Sequence, residues 1–348
     1  MAEVAFGIFD HIERRDAPLG ELYEGRLRLL EAADAAGFYC YHLAEHHGTP
    51  LGMAPSPGIF LAAAAQRTRR IHLGPLVYLL PLYNPLRLAE EICMLDQLSG
   101  GRVQMGVGRG VSPIEMGFFN IDPANARSIF DEDLAIMLQA FASRSLSYSG
   151  EHHHYHDVPM ALSPFQLPHP PIWYPTSSVT SVAWVARRRY QTVFLGSPAH
   201  IADGVKAYRD NLDDPDDFER LKVGMLRYVF VADGDAEAMR YARAAYAAHL
   251  ANLRHLANTR GGSTRSAVLD ASGALEGDPE DIEAAVAKGW AAVGSPETVQ
   301  HQLREMIEAT GCNYLVFNPL LADTPVDRAM AATRLFGEEI APALRASS

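Results

Sequence analysis

Residues 95–110 read Leu95-Asp96-Gln97-Leu98-Ser99-Gly100-Gly101-Arg102-Val103-Gln104-Met105-Gly106-Val107-Gly108-Arg109-Gly110. The stretch contains one complete passage from helix to strand. A helical pattern that starts at Pro85 stops at the Gly100-Gly101 pair, the usual signal for a left-handed cap. Residues 102–107 then run as an apolar strand, and Arg109 follows between two glycines. A guanidinium at a strand end, with no side chain on either neighbour, is placed to meet an anion. Arginine offers a planar fork of donors, and glycine lets the main chain approach closely. The spacing is not a dinucleotide fingerprint: G-x-G-x-x-G from Gly106 needs a third glycine where Val111 stands.

Outward from this stretch the same alternation recurs. Strands are expected at 4–9, 38–44, 70–80, 102–107, 172–174, 192–195, 222–231 and 313–317, with helical segments between them. Repeated strand-then-helix order predicts a parallel sheet with crossover helices. Eight units, apolar on both faces, predict an α/β fold closed as a (β/α)8 TIM barrel, with an open doubly wound sheet as the alternative. An excursion at 145–170, rich in aromatics and histidines and then prolines, precedes the fifth strand. Residues 259–280, poor in large apolar groups, read as a mobile loop after the helix that follows strand seven. The whole chain, 1–348, is expected to form a single barrel domain.

The bulk numbers exclude some partners. The chain has 348 residues, is 48% hydrophobic and carries a formal net charge of −12, which argues against nucleic acid. The basic runs at 67–70 and 187–189 fall where helices end, and cations are favoured there. Cys40, Cys93 and Cys312 show no metal or redox spacing and read as buried thiols of a reducing compartment. No apolar signal core or membrane-length run is present, so the expectation is a cytoplasmic protein without a membrane partner.

Active sites of such barrels lie at the carboxyl ends of the strands. After strand two stand Glu45, His46 and His47, able to transfer protons near neutral pH. Adjacent residues point to opposite sides, so at most one histidine faces the mouth. Catalysis, a structural pair and a metal site all remain open for them. After strand three, residues 76–85 form an apolar and aromatic shelf that includes Leu76, Val77 and Tyr78 and suits a flat ligand. After strand four come Arg109 and Glu115. After strand five come Thr176, Ser177, Ser178 and Ser181 at a helix start, a ready anion site. Capping alone accounts for one of these hydroxyls. An anion clamp, an apolar shelf and a histidine together suit a phosphorylated aromatic cofactor such as a flavin mononucleotide. The histidine run 152–156 lies in the excursion and is read as solvent-facing, with no metal assigned.

At this point the residues resemble a known family. Ala44-Glu45-His46-His47, then 82–90, then 96–110, with Pro170-Pro171-Ile172-Trp173 and 293–299, are together similar to the bacterial luciferase-like flavin monooxygenases. The resemblance implies a barrel that binds reduced FMN, activates oxygen through a flavin hydroperoxide, and is often a homodimer. Arg109 matches the family's phosphate-binding arginine, Ser178 and Ser181 its hydroxyl contacts with Ser177 beside them, and His46 its catalytic histidine. Leu76-Val77 lies where luciferases carry a non-proline cis peptide beside the flavin ring, and 259–280 matches their mobile lid. Gly108 replaces a reactive cysteine of the light-emitting α subunits, which argues against bioluminescence. The expected activity is a two-component FMN-dependent monooxygenase acting on a small apolar or aldehyde substrate. Its reduced FMN would come from a separate NAD(P)H:flavin reductase, because the chain has no nicotinamide fingerprint. A deazaflavin-dependent oxidoreductase and a non-catalytic flavin-binding protein are the alternatives.

Overall fold

Strand β1 (Ala5–Asp10) pairs in parallel with β2 (Cys40–Leu43) on one side and with β12 (Tyr314–Phe317), the last strand of the chain, on the other. In the computed structural model, which describes residues 3–176, 178–258, 279–322 and 324–345, this pairing closes a ring. From β2 the ladder passes to β3 (His72–Pro75) and then, through a Leu73–Val103 bridge and β4 (Tyr78–Leu79), to β5 (Met105–Gly108). It continues to β8 (Ile172–Trp173), crosses by a Trp173–Gln191 bridge to β9 (Thr192–Phe194), and returns through β10 (Val223–Val231) to β12. Every rung is parallel, and helices connect the strands. All residues of β2, β5 and β12 are buried, as strands covered on both faces require.

The stretch quoted first shows how local chemistry sets the frame. Asn84 accepts the Arg87 amide at 3.1 Å and opens the helix Pro85–Ser99. Gly100 ends it at φ 68°, a conformation that favours glycine. Arg102 then donates to the carbonyls of Ala65, Ser99 and Ile71 and to the Thr68 hydroxyl. One guanidinium thus ties two helix C-termini to the start of the strand that carries Arg109.

Two features depart from the expected order. The strand expected at 70–80 is two strands, β3 and β4, separated at Leu76-Val77, whose peptide bond is cis. An additional strand, β11 (Ala291–Gly294), pairs with Tyr228–Val231 along the distal half of β10. The excursion forms an antiparallel hairpin of β6 (Ser145–Ser149) and β7 (His154–Pro159). Its turn is anchored by the Glu132 carboxylate, which accepts the amides of Glu151, His152 and His153, while His153 pairs with Asp133 at 2.9 Å. The loop expected at 259–280 lies almost wholly outside the described residues.

Candidate active site

The carboxyl ends of β1, β2, β5 and β8, with the segment between β3 and β4, surround a cavity of about 300 Å3. Its walls include His46, Leu76, Val77, Arg109, Ser178 and Ser181, so six of the residues singled out from sequence meet in one place. Ser177 lies outside the described residues. Tyr78 is a correction: its side chain is fully buried against Tyr83, at 5.6 Å between ring centroids, and does not line the cavity. The uniform shelf read from the sequence breaks after Pro75 and restarts at Tyr78, which turns that ring into the core.

Arg109, Ser178 and Ser181 give the cavity a polar part of its lining. Arg109 is exposed at the end of β5. Ser178 occupies the cap position of the helix Val179–Arg187, yet its side chain makes no capping bond. Its amide donates instead to the Thr176 hydroxyl at 3.2 Å. A charged fork, a hydroxyl not engaged in capping and a helix N-terminus together form a donor set suited to a phosphate.

Phe9, Leu76 and Val77 add apolar groups to the same lining. Gly108 is part of the same lining. A Cβ there would stand 2.5 Å from Val77 Cγ2, so glycine lets β5 close against this wall. The amphiphilic shape fits a phosphorylated ligand with a flat apolar body.

His46 stands at the rim with its Nδ1 3.2 Å from Glu115 Oε1, and the same oxygen accepts the His47 amide at 2.7 Å. Burial works to raise the Glu115 pKa, but the His46 bond, the imidazole charges and the His47 amide outweigh it and hold the carboxyl below its ordinary value. His47 turns the other way and meets Glu45 at 2.9 Å. Glu45 also accepts from the Tyr83 hydroxyl and the Leu79 amide, and burial leaves its pKa raised. The two histidines therefore diverge, as neighbours at a strand end must.

A second cavity of about 370 Å3 adjoins the first across Phe9, Leu76, Val111 and Pro175. Its walls are mainly apolar, with Phe194, Leu195, Leu226 and Trp290 among them. The polar exceptions are His11, Tyr228, Tyr246 and His249, none of which sequence reasoning identified. His11 stacks on His46 with centroids 5.6 Å apart and lies 5.7 Å from His249. Burial, then the neighbouring imidazole charges, push the His11 pKa well below the ordinary histidine value. His11, Glu13 and His249 place one ligand atom each within 4.8 Å of one another, the one such grouping among the described residues. Both Glu13 oxygens are already engaged, by His249 Nδ1 at 2.7 Å and by Asn252 at 2.7 Å, so the arrangement is that of a hydrogen-bond network.

Comparison with known proteins identifies the family. A family model described as luciferase-like monooxygenase matches residues 4–313. The protein y4wF of Sinorhizobium fredii, whose activity is uncharacterised, is 37% identical over 341 residues, covering 97% of each chain. The oxygenase component of the flavin-dependent trigonelline monooxygenase of Acinetobacter baylyi is 26% identical over 243 residues, 67% of this chain and 66% of that one. Among solved structures, the oxygenating constituent of the 3,6-diketocamphane monooxygenase of Pseudomonas putida, in complex with FMN, has a TM-score of 0.81. It is 22% identical and covers 98% of this chain and 99% of its own. The likeness is one of fold, a luciferase-like (β/α)8 barrel. The chain belongs to the luciferase-like monooxygenase family and is an enzyme of that oxidoreductase class.

Proposed function

We propose that this enzyme is the oxygenase half of a two-component system that takes reduced FMN from a separate NAD(P)H:flavin reductase and uses it with O2 to oxidise a small apolar or aldehyde substrate. The observation that carries the reading is the mixed lining of the first cavity: Arg109, Ser178 and Ser181 together with Leu76, Val77 and His46. Arg109 and the serines, with Ser177 beside them in sequence, would hold the phosphate. Leu76 and Val77 would carry the ring. Reduced FMN, when bound, supplies the electrons that activate oxygen.

The chain's own residues do the rest. The apolar second cavity holds the substrate body and keeps water away. Glu115 holds the proton on His46 Nδ1, which leaves Nε2 as the ring atom able to accept or return a proton. The trigonelline relative is named as an oxygenase component, which supports a separate reductase for this chain. Ile59, Met94 and Leu98 expose an apolar face on two neighbouring helices, which supports a homodimer. Three free buried thiols are consistent with a cytoplasmic setting, and no described helix is long and apolar enough to cross a membrane.

The test is oxygen consumption with chemically reduced FMN across a series of aldehydes and cyclic ketones, with products read by mass. Incorporation of one oxygen atom into a product is expected. Activity only with a reduced deazaflavin, or flavin binding with no product, would replace this reading with one of its two alternatives.

A further inference from the structure

His11 is a titratable group that the proposed chemistry at His46 does not use. It follows directly on β1 and lines the second cavity, while His46 lines the first. The two rings stack with 19° between their planes, and Phe9 meets the His11 ring edge-on at 4.8 Å between centroids. Phe9 belongs to both linings, so His11 stands where the two cavities adjoin. Its imidazole neighbours each have a carboxylate at Nδ1, Glu115 for His46 and Glu13 for His249. His11 has none within ion-pair distance among the described residues.

Neither nitrogen of this ring has a hydrogen-bond partner among the described residues. Nδ1 is closed off without one. Nε2, also unmatched, is not closed off, and it opens to the cavity that the ring lines. Burial, with the charges of His46 and His249, keeps the ring neutral at physiological pH, so it carries one hydrogen. A closed-off N–H with no acceptor is the rarer kind of orphan, which puts the hydrogen on Nε2. A single donor therefore faces a mainly apolar cavity with nothing in the protein to receive it, and such a donor is costly to leave unmatched.

We propose that His11 is a substrate-binding residue whose Nε2–H takes the carbonyl oxygen of an otherwise apolar aldehyde or ketone. The inference rests on the reading of the second cavity as the substrate side of the enzyme. Phe194, Leu195, Leu226 and Trp290 would enclose the hydrocarbon body. With its oxygen at His11, the carbonyl carbon would lie beside Phe9 and Leu76, the wall that the two cavities share. A hydrocarbon of the same shape would leave the donor unmatched in an apolar surround, and the site would discriminate against it.

The test is equilibrium binding to the full chain without flavin, measured by titration calorimetry. The probes are 4-tert-butylcyclohexanone and its methylidene analogue, in which a carbon replaces the oxygen and the shape is kept. The ketone should bind roughly tenfold more tightly, the scale of one hydrogen bond. His11→Phe keeps an aromatic ring beside His46 and Phe9 but has no donor. It should remove the advantage of the ketone and leave binding of the analogue unchanged. His11→Gln, whose amide can donate, should retain part of the advantage, a result that a loss of ring packing would not give. Equal binding of the two probes by the natural protein would overturn the proposal. So would a ketone advantage that survives His11→Phe, equal weakening of both probes by that variant, or no binding of either probe. Because no flavin is present, these outcomes are independent of whether reduced FMN binds at Arg109.

Discussion

His46 Nδ1 and Glu115 Oε1 stand 3.2 Å apart, joining the end of β2 to the short helix Pro113–Phe118 that follows β5. The bond fixes which imidazole nitrogen carries the hydrogen. Glu115→Gln removes the charge that enforces this choice, since an amide can present either a donor or an acceptor. We expect a roughly tenfold to hundredfold fall in the single-turnover rate, the scale seen when a group orienting an active-site histidine is lost. His46→Ala should cost roughly a hundredfold or more. Combining the two should cost little beyond His46→Ala, because the residues act as one unit.

Ser178 distinguishes ligand binding from helix capping. Its side chain makes no bond to the helix it precedes. Ser178→Ala should weaken reduced-FMN binding by about 0.5–1.5 kcal/mol, one neutral hydrogen bond, and leave the thermal midpoint unmoved. A capping role would give the reverse: a drop in the midpoint worth about 1 kcal/mol with unchanged affinity. Parallel titration and thermal melts decide.

Gly108 and Val77 approach closely in the wall of the first cavity. Gly108→Ala places a methyl 2.5 Å from Val77 Cγ2 and should destabilise the protein by roughly 1–3 kcal/mol, the usual range for overpacking. Val77→Ala in the same chain should recover most of that loss. Denaturant melts of the four-member cycle read the coupling directly.

Glu13 makes stability depend on acid. Its carboxyl is depressed in the folded protein to about 2 from an ordinary value of 4.5. The stability it contributes is therefore complete above pH 4.5 and lost as the pH falls toward 2. At pH 7, Glu13→Gln should destabilise the chain by about 3 kcal/mol, as expected when one partner of a buried pair loses its charge. The gap between natural and variant protein should narrow steadily between pH 4.5 and 3.5 in urea titrations. A gap that stays constant or widens would contradict the assignment.

The order of strands and helices was legible because long apolar runs between turn residues carry a strong period. Arg109, Ser178 and His46 were found because each lies beside a recognisable strand end. The strand Ala291–Gly294 was not, since four apolar residues between two helices match a turn as well as a strand. Tyr78 was misplaced because reading 70–80 as one continuous strand misses the break that sets which way its ring turns. Glu13, His249 and Tyr228 gave no signal at all: they meet only through the closed ring and one long helix, from positions 13, 249 and 228. Pairs joined only by tertiary closure leave no local trace for spacing to reveal.

The central claim is that the first cavity grips a flavin by its phosphate. The direct measurement is anaerobic titration of the natural protein and Arg109→Ala with reduced FMN and with reduced riboflavin, which has no phosphate. Reduced FMN should bind the natural protein more tightly than reduced riboflavin by about 1–3 kcal/mol, and Arg109→Ala should abolish most of that difference while leaving riboflavin binding as it was. Equal affinity for the two flavins, or an FMN preference that survives in Arg109→Ala, would contradict the account.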